Sequence, residues 1–89
     1  MSSDVKRLCR ICLRTSKETY NIFNSYYPVR KTLYCDILAY CTKKKLHRRD
    51  GLPHFMCRNC IRHLENTYEF HLVCEESDQK FHVLLLCVR

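Results

Sequence analysis

The sequence predicts a single small α+β domain whose core needs a crosslink or a bound ion to be stable. The chain has 89 residues, of which eight are cysteine, one is glycine and none is tryptophan. A chain of this length buries only about 60–65% of its surface on folding, and such cores are commonly reinforced by disulfides, a metal or a second subunit. The length therefore excludes a multidomain enzyme, and the high cysteine content indicates where the reinforcement lies.

The start of the chain is polar, and we divide the sequence into a polar N-terminal lead, residues 1–8, and one domain, residues 9–89. The lead lacks the apolar stretch of a signal peptide. The longest apolar run, Val83–Val88, has six residues, against the roughly 20 that a membrane-spanning helix needs. We therefore expect a reducing compartment, in which closely spaced cysteines are more often metal ligands than disulfide partners.

Short elements are predicted in the first half of the domain. Ile22-Phe23 is typical of a short strand. A helix has to begin after Pro28, because proline breaks helices. The apolar residues over 33–42 then fall at helical spacing, with Thr32 as the expected N-cap. A further short strand is predicted over 46–49.

A tight turn and a long helix are predicted in the second half. The turn is Asp50–Pro53, where the only glycine and one of the two prolines come together. Neither residue type follows it, and the helical pattern continues over 58–89. Such a helix is about 48 Å long, more than a globule with a radius of gyration of roughly 12 Å can cover. Part of it must therefore project from the domain or lie against a partner.

Apolar residues fall on two faces of this predicted helix. The first face contains Ile61, Leu64, Tyr68 and Leu72, and we expect it to cover the domain's own core. The second face begins further along, and because it would leave an apolar patch exposed in a monomer, it predicts dimerisation. A kink near 77–78 that folds the end of the helix back is the alternative. The residues of the second face are Phe70, Val73, Cys74, Ser77, Phe81, Leu84 and Leu85, with Val88 beyond them.

Two cysteine pairs, each with two intervening residues, form the strongest motif. Cys9 and Cys12 are the first pair, and Cys57 and Cys60 are the second. Four thiolates at this spacing suit one tetrahedral zinc at ~2.3 Å and leave no open position, which indicates a single structural zinc ion per chain. The second pair lies where the long helix begins, and the helix dipole there favours thiolates. A knuckle pair followed by a pair at a helix start predicts a treble-clef-like zinc finger.

The other cysteines and the histidines have less specific patterns. Cys35, Cys41, Cys74 and Cys87 lie on the apolar sides of predicted helices, so we expect them to pack in the core or in an interface. The five histidines lack ligand spacing, apart from a loose one between His71 and Cys74, and are expected at the surface. Disulfides would need an oxidising compartment, and a catalytic cysteine–histidine pair would need a pocket that so small a domain hardly supplies.

The net charge of +7 is unevenly distributed. Residues 1–50 hold 12 Lys and Arg against 4 Asp and Glu, whereas residues 51–89 hold 4 against 5. The basic half can attract nucleic acid or an acidic protein surface, and we expect it to face acidic residues on the long helix of a second copy. Those acidic residues are Glu65, Glu69, Glu75 and Glu76.

The densest group of positive charges, which we call the basic loop, is a candidate contact for nucleic acid or a partner. It is either a solvated loop, a phosphate-binding segment or a nuclear-import signal. No aromatic residue is interleaved with it, which argues against single-strand binding. Its residues are Lys43, Lys44, Lys45, Arg48 and Arg49.

Several spaced motifs occur in order: Cys9-Arg10-Ile11-Cys12-Leu13, Ile22-Phe23, Asp50-Gly51-Leu52-Pro53, Cys57-Arg58-Asn59-Cys60, and then Leu64, Tyr68, Phe70, Cys74 and Ser77. Together they resemble the zinc-finger-associated domain, the N-terminal module of many insect zinc-finger transcription factors. The resemblance extends from Cys9 to Phe81. It implies a four-cysteine zinc fold, homodimerisation through the long helix, DNA binding by two-Cys-two-His fingers outside this chain, and a nuclear location.

By position, the resemblance implies that Cys9, Cys12, Cys57 and Cys60 are the zinc ligands and that the second helix face is the dimer interface. Arg10 matches the basic residue that the family usually has inside the knuckle, where it either orders the loop or contacts a partner.

Two other functions fit parts of the sequence. The first is a module that binds nucleic acid directly through the basic loop. The second is a RING-like ubiquitin-ligase domain, since eight cysteines would allow two zinc ions, although the cross-braced series of ligands is absent. A reader of modified peptides would have to build its aromatic cage from tyrosine alone.

Overall fold

The computed structural model describes residues 5–87 and confirms the small α+β class. Two short antiparallel sheets, β1 with β4 and β2 with β3, are combined with one short and one long helix. In chain order the elements are β1 (Thr19–Asn21), β2 (Tyr26–Tyr27), β3 (Thr32–Leu33), α1 (Tyr34–Thr42), β4 (Phe55–Cys57) and α2 (Arg58–Cys87).

The β1–β4 pair joins the two halves of the sequence. Its register places Thr19 opposite Cys57 and Asn21 opposite Phe55. The knuckle is attached to the same strand, because the Arg10 backbone N–H donates to the Phe55 carbonyl at 2.7 Å. Since β4 leads directly into α2, these bonds set where the long helix begins.

The core lies between α1, the two sheets and the first turns of α2. Ile22, Ile37 and Met56 are fully buried at its centre. Ile61 and Leu64 are the buried residues of α2. The other two residues of the predicted first face lie further along the helix: Tyr68 packs against the core, and Leu72 is half-buried. The first face of α2 therefore covers the domain's own core, as predicted.

Several local predictions were wrong. Ile22-Phe23 lies in a turn after β1, held by the Phe23 N–H donating to Asn21 Oδ1 at 3.0 Å. No strand forms over 46–49, which is irregular chain and turn. Thr32 does not cap α1: its hydroxyl donates to the Arg30 carbonyl at 2.9 Å, and the N-cap position is occupied by Leu33 without a side-chain bond.

Three tyrosines hold α2 against the domain through three of its glutamates. The Tyr34 hydroxyl donates to Glu65 Oε2 at 2.7 Å, and the Tyr27 hydroxyl donates to Glu69 Oε2 at 3.3 Å. Arg30 adds an ion pair to Glu69 at 2.7 Å. The Tyr40 hydroxyl donates to Glu75. These three glutamates therefore have partners within their own chain, which leaves less acidic surface free for the contact with a second copy that we expected, and that contact stays a prediction.

The second half of α2 projects from the domain. The helix is continuous through 77–78, so the predicted alternative of a kink does not occur. Beyond Glu75, the described part of α2 makes no hydrogen bond or ion pair with the rest of the domain. The molecule measures 65 × 23 × 20 Å, and its radius of gyration of 16.7 Å exceeds the value expected of a globule. Within residues 5–87, no helix combines the length and the apolar character needed to span a bilayer.

Candidate metal centre

The structure brings four cysteine sulfurs together at one end of the domain. The Sγ atoms of Cys9, Cys12, Cys57 and Cys60 lie within 4.8 Å of one another, and those of Cys12 and Cys57 are 3.8 Å apart. Tetrahedral zinc with bonds of ~2.3 Å requires sulfurs about 3.8 Å apart. Both the donor chemistry and the spacing therefore fit one structural zinc ion.

The first pair is held by a tight turn. The Leu13 N–H donates to the Cys9 carbonyl at 3.0 Å, and the Cys9 N–H donates to the Arg14 carbonyl at 2.9 Å. Leu13 has a φ of 65°, in the left-handed region that costs a non-glycine residue about 1–2 kcal/mol. The strained residue Leu13 lies in the turn that places the sulfurs of Cys9 and Cys12 on the same side.

The second pair joins β4 to α2. Cys57 is the last residue of β4, and Cys60 lies in the first turn of α2. The Cys57 N–H donates to Cys9 Sγ at 3.3 Å, and the Ile11 N–H donates to the same sulfur at 3.4 Å. The first turn of α2 contains no acidic residue, so no carboxylate within that turn competes with the Cys60 thiolate for the positive end of the helix dipole.

The surroundings favour negative charge on one sulfur and oppose it on another. Burial raises the pKa of the Cys9 thiol, but hydrogen bonds from the backbone N–H groups of Cys12, Cys57 and Ile11 outweigh burial and lower it to about 6. Burial and the neighbouring thiols raise the pKa of Cys60. A dication removes this conflict, because it binds all four groups as thiolates.

The site has no free coordination position once four sulfurs are bound, which is typical of a structural zinc and not of a catalytic one. Soft thiolates select zinc over hard cations such as magnesium. Within residues 5–87, the structure brings no second group of three or more metal-binding side chains together. The two-zinc arrangement of a RING-like domain is therefore not supported.

Arg10 connects the knuckle to the turn at 50–53. Its Nη1 donates to the Pro53 carbonyl at 3.0 Å, and its Nη2 forms an ion pair with Asp50 Oδ2 at 2.5 Å. The Leu52 N–H donates to Asp50 Oδ1 at 2.9 Å, and Gly51 adopts the positive φ of 81° that the turn requires. These contacts are those of a residue that orders a loop.

None of the residues of the basic loop lines the concavity that holds Cys12, Cys57 and Cys60. Lys43 ends α1 and lies over the Tyr40 ring at 4.8 Å. Arg48 contacts Phe23 and Asn24. The side chains of Lys44, Lys45 and Arg49 are exposed, so the structure does not gather the whole loop into one site.

The predicted second face of α2 lies in solvent. Phe70, Phe81 and Leu85 are 69%, 62% and 67% exposed. Val73, Leu84 and Cys74 are exposed as well, and Ser77 is half-buried. Val88 lies outside the described residues. Of the remaining cysteines, Cys35 and Cys41 pack against the core, whereas Cys87 is exposed.

Sequence reasoning missed the contacts that hold these elements together. Nothing in the local pattern identified the three tyrosine–glutamate bonds or the ion pair of Arg10 with Asp50. The only available signal was the presence of Asp50 in a turn motif together with a basic residue inside the knuckle.

Two comparisons with known proteins agree with this geometry. The family model described as Zinc-finger associated domain (zf-AD) matches residues 8–84, a range that contains all four clustered cysteines. The chain is also 33% identical over 85 residues to Zinc finger protein kipf of Drosophila melanogaster. That match covers 91% of this chain and 20% of the relative, so the chain spans about a fifth of the length of the protein it resembles.

Proposed function

Because this chain belongs to the zinc-finger associated domain family, we propose that it is the homodimerisation module of a nuclear transcription regulator. In this proposal residues 9–89 form the module, and Cys9, Cys12, Cys57 and Cys60 hold its structural zinc. Its activity is protein binding and not catalysis.

The observation that carries the proposal is the exposed apolar face of α2. At about 100° per residue, Ser77 lies on the opposite side of the helix from Tyr68, nine residues earlier. Tyr68 packs against the core, so the second face points away from the domain that the helix covers. Large exposed side chains such as Phe81 and Leu84 on an otherwise charged helix are typical of an interface.

A second copy is the partner that this face suits. Phe70, Ser77 and Leu84 are spaced by seven residues and lie within about 40° of one another around the helix. These three side chains therefore form one continuous seam along α2. Two such seams related by a two-fold axis bury the same residues on both chains. Each helix would then cover the exposed apolar face of the other helix, which the domain of that chain is too small to cover.

Dimerisation would bring together the DNA-binding fingers that we propose for the rest of the parent protein. Fingers linked in this way bind neighbouring DNA sites with a raised effective concentration, without any new DNA contact. The relative is named a zinc finger protein, which supports this part of the proposal.

Native mass spectrometry tests the proposal directly, since it counts zinc ions and chains together. We expect two chains with one zinc each. The variant Phe81→Glu with Leu84→Glu should be a folded, zinc-bound monomer, because two buried charges would face each other across the seam.

The matched control is Gln79→Glu with His82→Glu, which adds two acidic residues on the opposite side of the same exposed segment. This control should remain dimeric. A zinc-loaded monomer of the unmodified chain, or a dimer that persists in the Phe81→Glu, Leu84→Glu variant, contradicts the proposed interface.

A further inference from the structure

A concave surface lies on the globular part of the domain and is formed by residues outside α2. This surface, which we call the basic cleft, has a volume of about 370 Å³. It is formed by the segment before the knuckle and by residues 48–55. The lining residues that matter here are Lys6, Arg48, Arg49, Leu52, His54 and Phe55.

One wall of the cleft is already in place without a ligand. Arg48 Nη2 donates to the Phe23 carbonyl at 3.1 Å and to Asn24 Oδ1 at 3.3 Å, and its guanidinium lies 5.6 Å from the Phe23 ring. The His54 ring packs edge-on against Phe23 at 5.0 Å, and its Nε2 lies 2.6 Å from the Arg48 carbonyl. A ligand would therefore pay little ordering entropy at this wall.

The positive charge of the cleft is not neutralised from within. Within residues 5–87, none of the side-chain ion pairs involves Lys6, Arg48 or Arg49. Asp50, which follows Arg49 directly along the chain, is already paired with Arg10. Three basic residues line one concave surface, and a concave surface of one sign of charge focuses the field and favours an anionic ligand.

The cleft also has an apolar part. Leu52 is 52% exposed, and the half-buried Phe55 lines the cleft beside it. A nucleic-acid backbone is contacted mainly through hydrogen bonds to its phosphates and sugars, and such contacts make no use of the apolar side chains of Leu52 and Phe55. A protein segment that combines carboxylates with an apolar side chain matches both parts of the cleft, in the way that arginine clusters recognise acidic motifs.

We infer that the basic cleft binds an acidic segment of a partner protein. Carboxylates of the segment lie between Lys6, Arg48 and Arg49, and an adjacent apolar side chain packs on Leu52 and Phe55. This inference does not depend on dimerisation, because the cleft is built from residues outside α2.

Fluorescence anisotropy on the zinc-loaded full chain tests the inference with a labelled peptide, Glu-Asp-Leu-Glu-Phe-Asp, and its uncharged counterpart, Gln-Asn-Leu-Gln-Phe-Asn. The acidic peptide should bind about tenfold more tightly than the uncharged one or better, since charge-assisted hydrogen bonds carry the contact. The variant Lys6→Glu with Arg49→Glu should lose about tenfold or more of this affinity. The control Lys44→Glu with Lys45→Glu has the same net charge but lies in the part of the basic loop outside the cleft, and it should lose much less.

A second measurement does not depend on any variant. Gly51 lines the cleft and is the only glycine of the chain, so selective ¹⁵N-glycine labelling gives one amide signal for this site. That signal should shift during titration with the acidic peptide and stay in place with the uncharged one.

The inference is wrong if the two peptides bind equally, if the Lys44→Glu, Lys45→Glu control loses as much affinity as the cleft variant, or if the Gly51 signal does not move. It is also overturned if duplex DNA displaces the acidic peptide and binds more tightly with the same dependence on Lys6 and Arg49. In that case the cleft is a nucleic-acid site.

Discussion

Arg10 shows how a single side chain joins two loops that are 40 residues apart in the sequence. Its side chain is 7% exposed and donates to both Asp50 and Pro53. The guanidinium and the Leu52 N–H lower the pKa of the Asp50 carboxyl, so this carboxylate is charged at neutral pH. The turn that precedes the second cysteine pair is therefore held by the first pair's own knuckle.

Replacing Arg10 by Ala should destabilise the zinc-loaded domain by about 1.5–3 kcal/mol, the usual contribution of a hydrogen bond to a charged group. Denaturant unfolding at constant zinc measures the change. Because the folded-state pKa of Asp50 is lowered, this contribution is present at neutral pH and is lost as the pH falls below the carboxyl's ordinary range. The exposed Arg14 is the control, and Arg14→Ala should change stability by less than about 0.5 kcal/mol. Equal effects of both variants would contradict the role of Arg10.

Cys57 connects the parts of the zinc site. It ends β4, directly before α2, and its backbone N–H donates to the Cys9 sulfur. Cys57→Ser should leave a three-sulfur site and a largely unfolded chain, because a structural zinc contributes about 10–16 kcal/mol and a small domain has only about 5–15 kcal/mol in total. Circular dichroism and zinc analysis measure the outcome.

The exposed Cys74 provides the matched control, and Cys74→Ser should retain one zinc per chain. A Cys57→Ser protein that remains folded with one zinc would show that the other cysteines suffice.

Among the elements, the long helix is predictable from its own residues, whereas the strand before it is not. Periodicity and the lack of glycine and proline placed the start of α2 at residue 58, where the structure has it. β4 has three residues and forms only because it pairs with β1, whose residues are more than 30 positions earlier. The predicted strand over 46–49 has no pairing strand among residues 5–87, and this segment is irregular chain and turn. Short strands therefore depend on pairing information that the local pattern lacks.

The same reasoning explains why the contacts of α2 with its domain were not foreseen. Each tyrosine–glutamate bond joins residues 31 to 42 positions apart. Glutamates that recur every few residues along a helix indicate a solvent-exposed face of that helix. Only the fold shows that three of these glutamates accept hydrogen bonds from the tyrosines of the first half.

Tyr34→Phe should reduce the free energy of unfolding by about 1.5–3 kcal/mol. The substitution removes the hydroxyl that donates to Glu65 at 2.7 Å and leaves that carboxylate without this donor. Tyr26 is exposed, so Tyr26→Phe should be nearly neutral. Urea unfolding of the two variants compares them, and a Tyr34→Phe variant as stable as Tyr26→Phe would show that the bond to Glu65 contributes nothing.

At the scale of the whole molecule, the projection of α2 follows from simple geometry. A helix of 30 residues is about 45 Å long, and among the described residues the domain makes bonds to it only as far as Glu75. The sequence predicted this excess length, and the spacing of the cysteines predicted the group that the fold brings within 4.8 Å. The direction of the projection depends on tyrosine contacts that only the structure reveals.

Dimer affinity should depend only weakly on salt. Glu65, Glu69 and Glu75 are occupied within the chain, and Glu76 forms an ion pair with Lys80 on the same helix at 3.1 Å. In the proposed dimer the contact between copies would then be mainly apolar, and screening acts on charges and not on apolar contacts. Sedimentation equilibrium at about 0.1 and 1 M salt, where the Debye lengths are roughly 10 and 3 Å, measures the dependence. A large loss of affinity at high salt would show that charged groups hold the two copies together.

The helix α2 is unbroken from Cys60 to Cys87. The number of residues between two of its positions therefore sets the angle between the directions in which their side chains point. One residue inserted after Glu75 would turn the exposed face by about 100° and advance it by 1.5 Å, whereas seven inserted residues would turn it by only about 20° from its original direction. The metal-binding end therefore dictates which way the far end faces. In any assembly built on that face, the angle between two bodies is encoded in the number of residues that separate them.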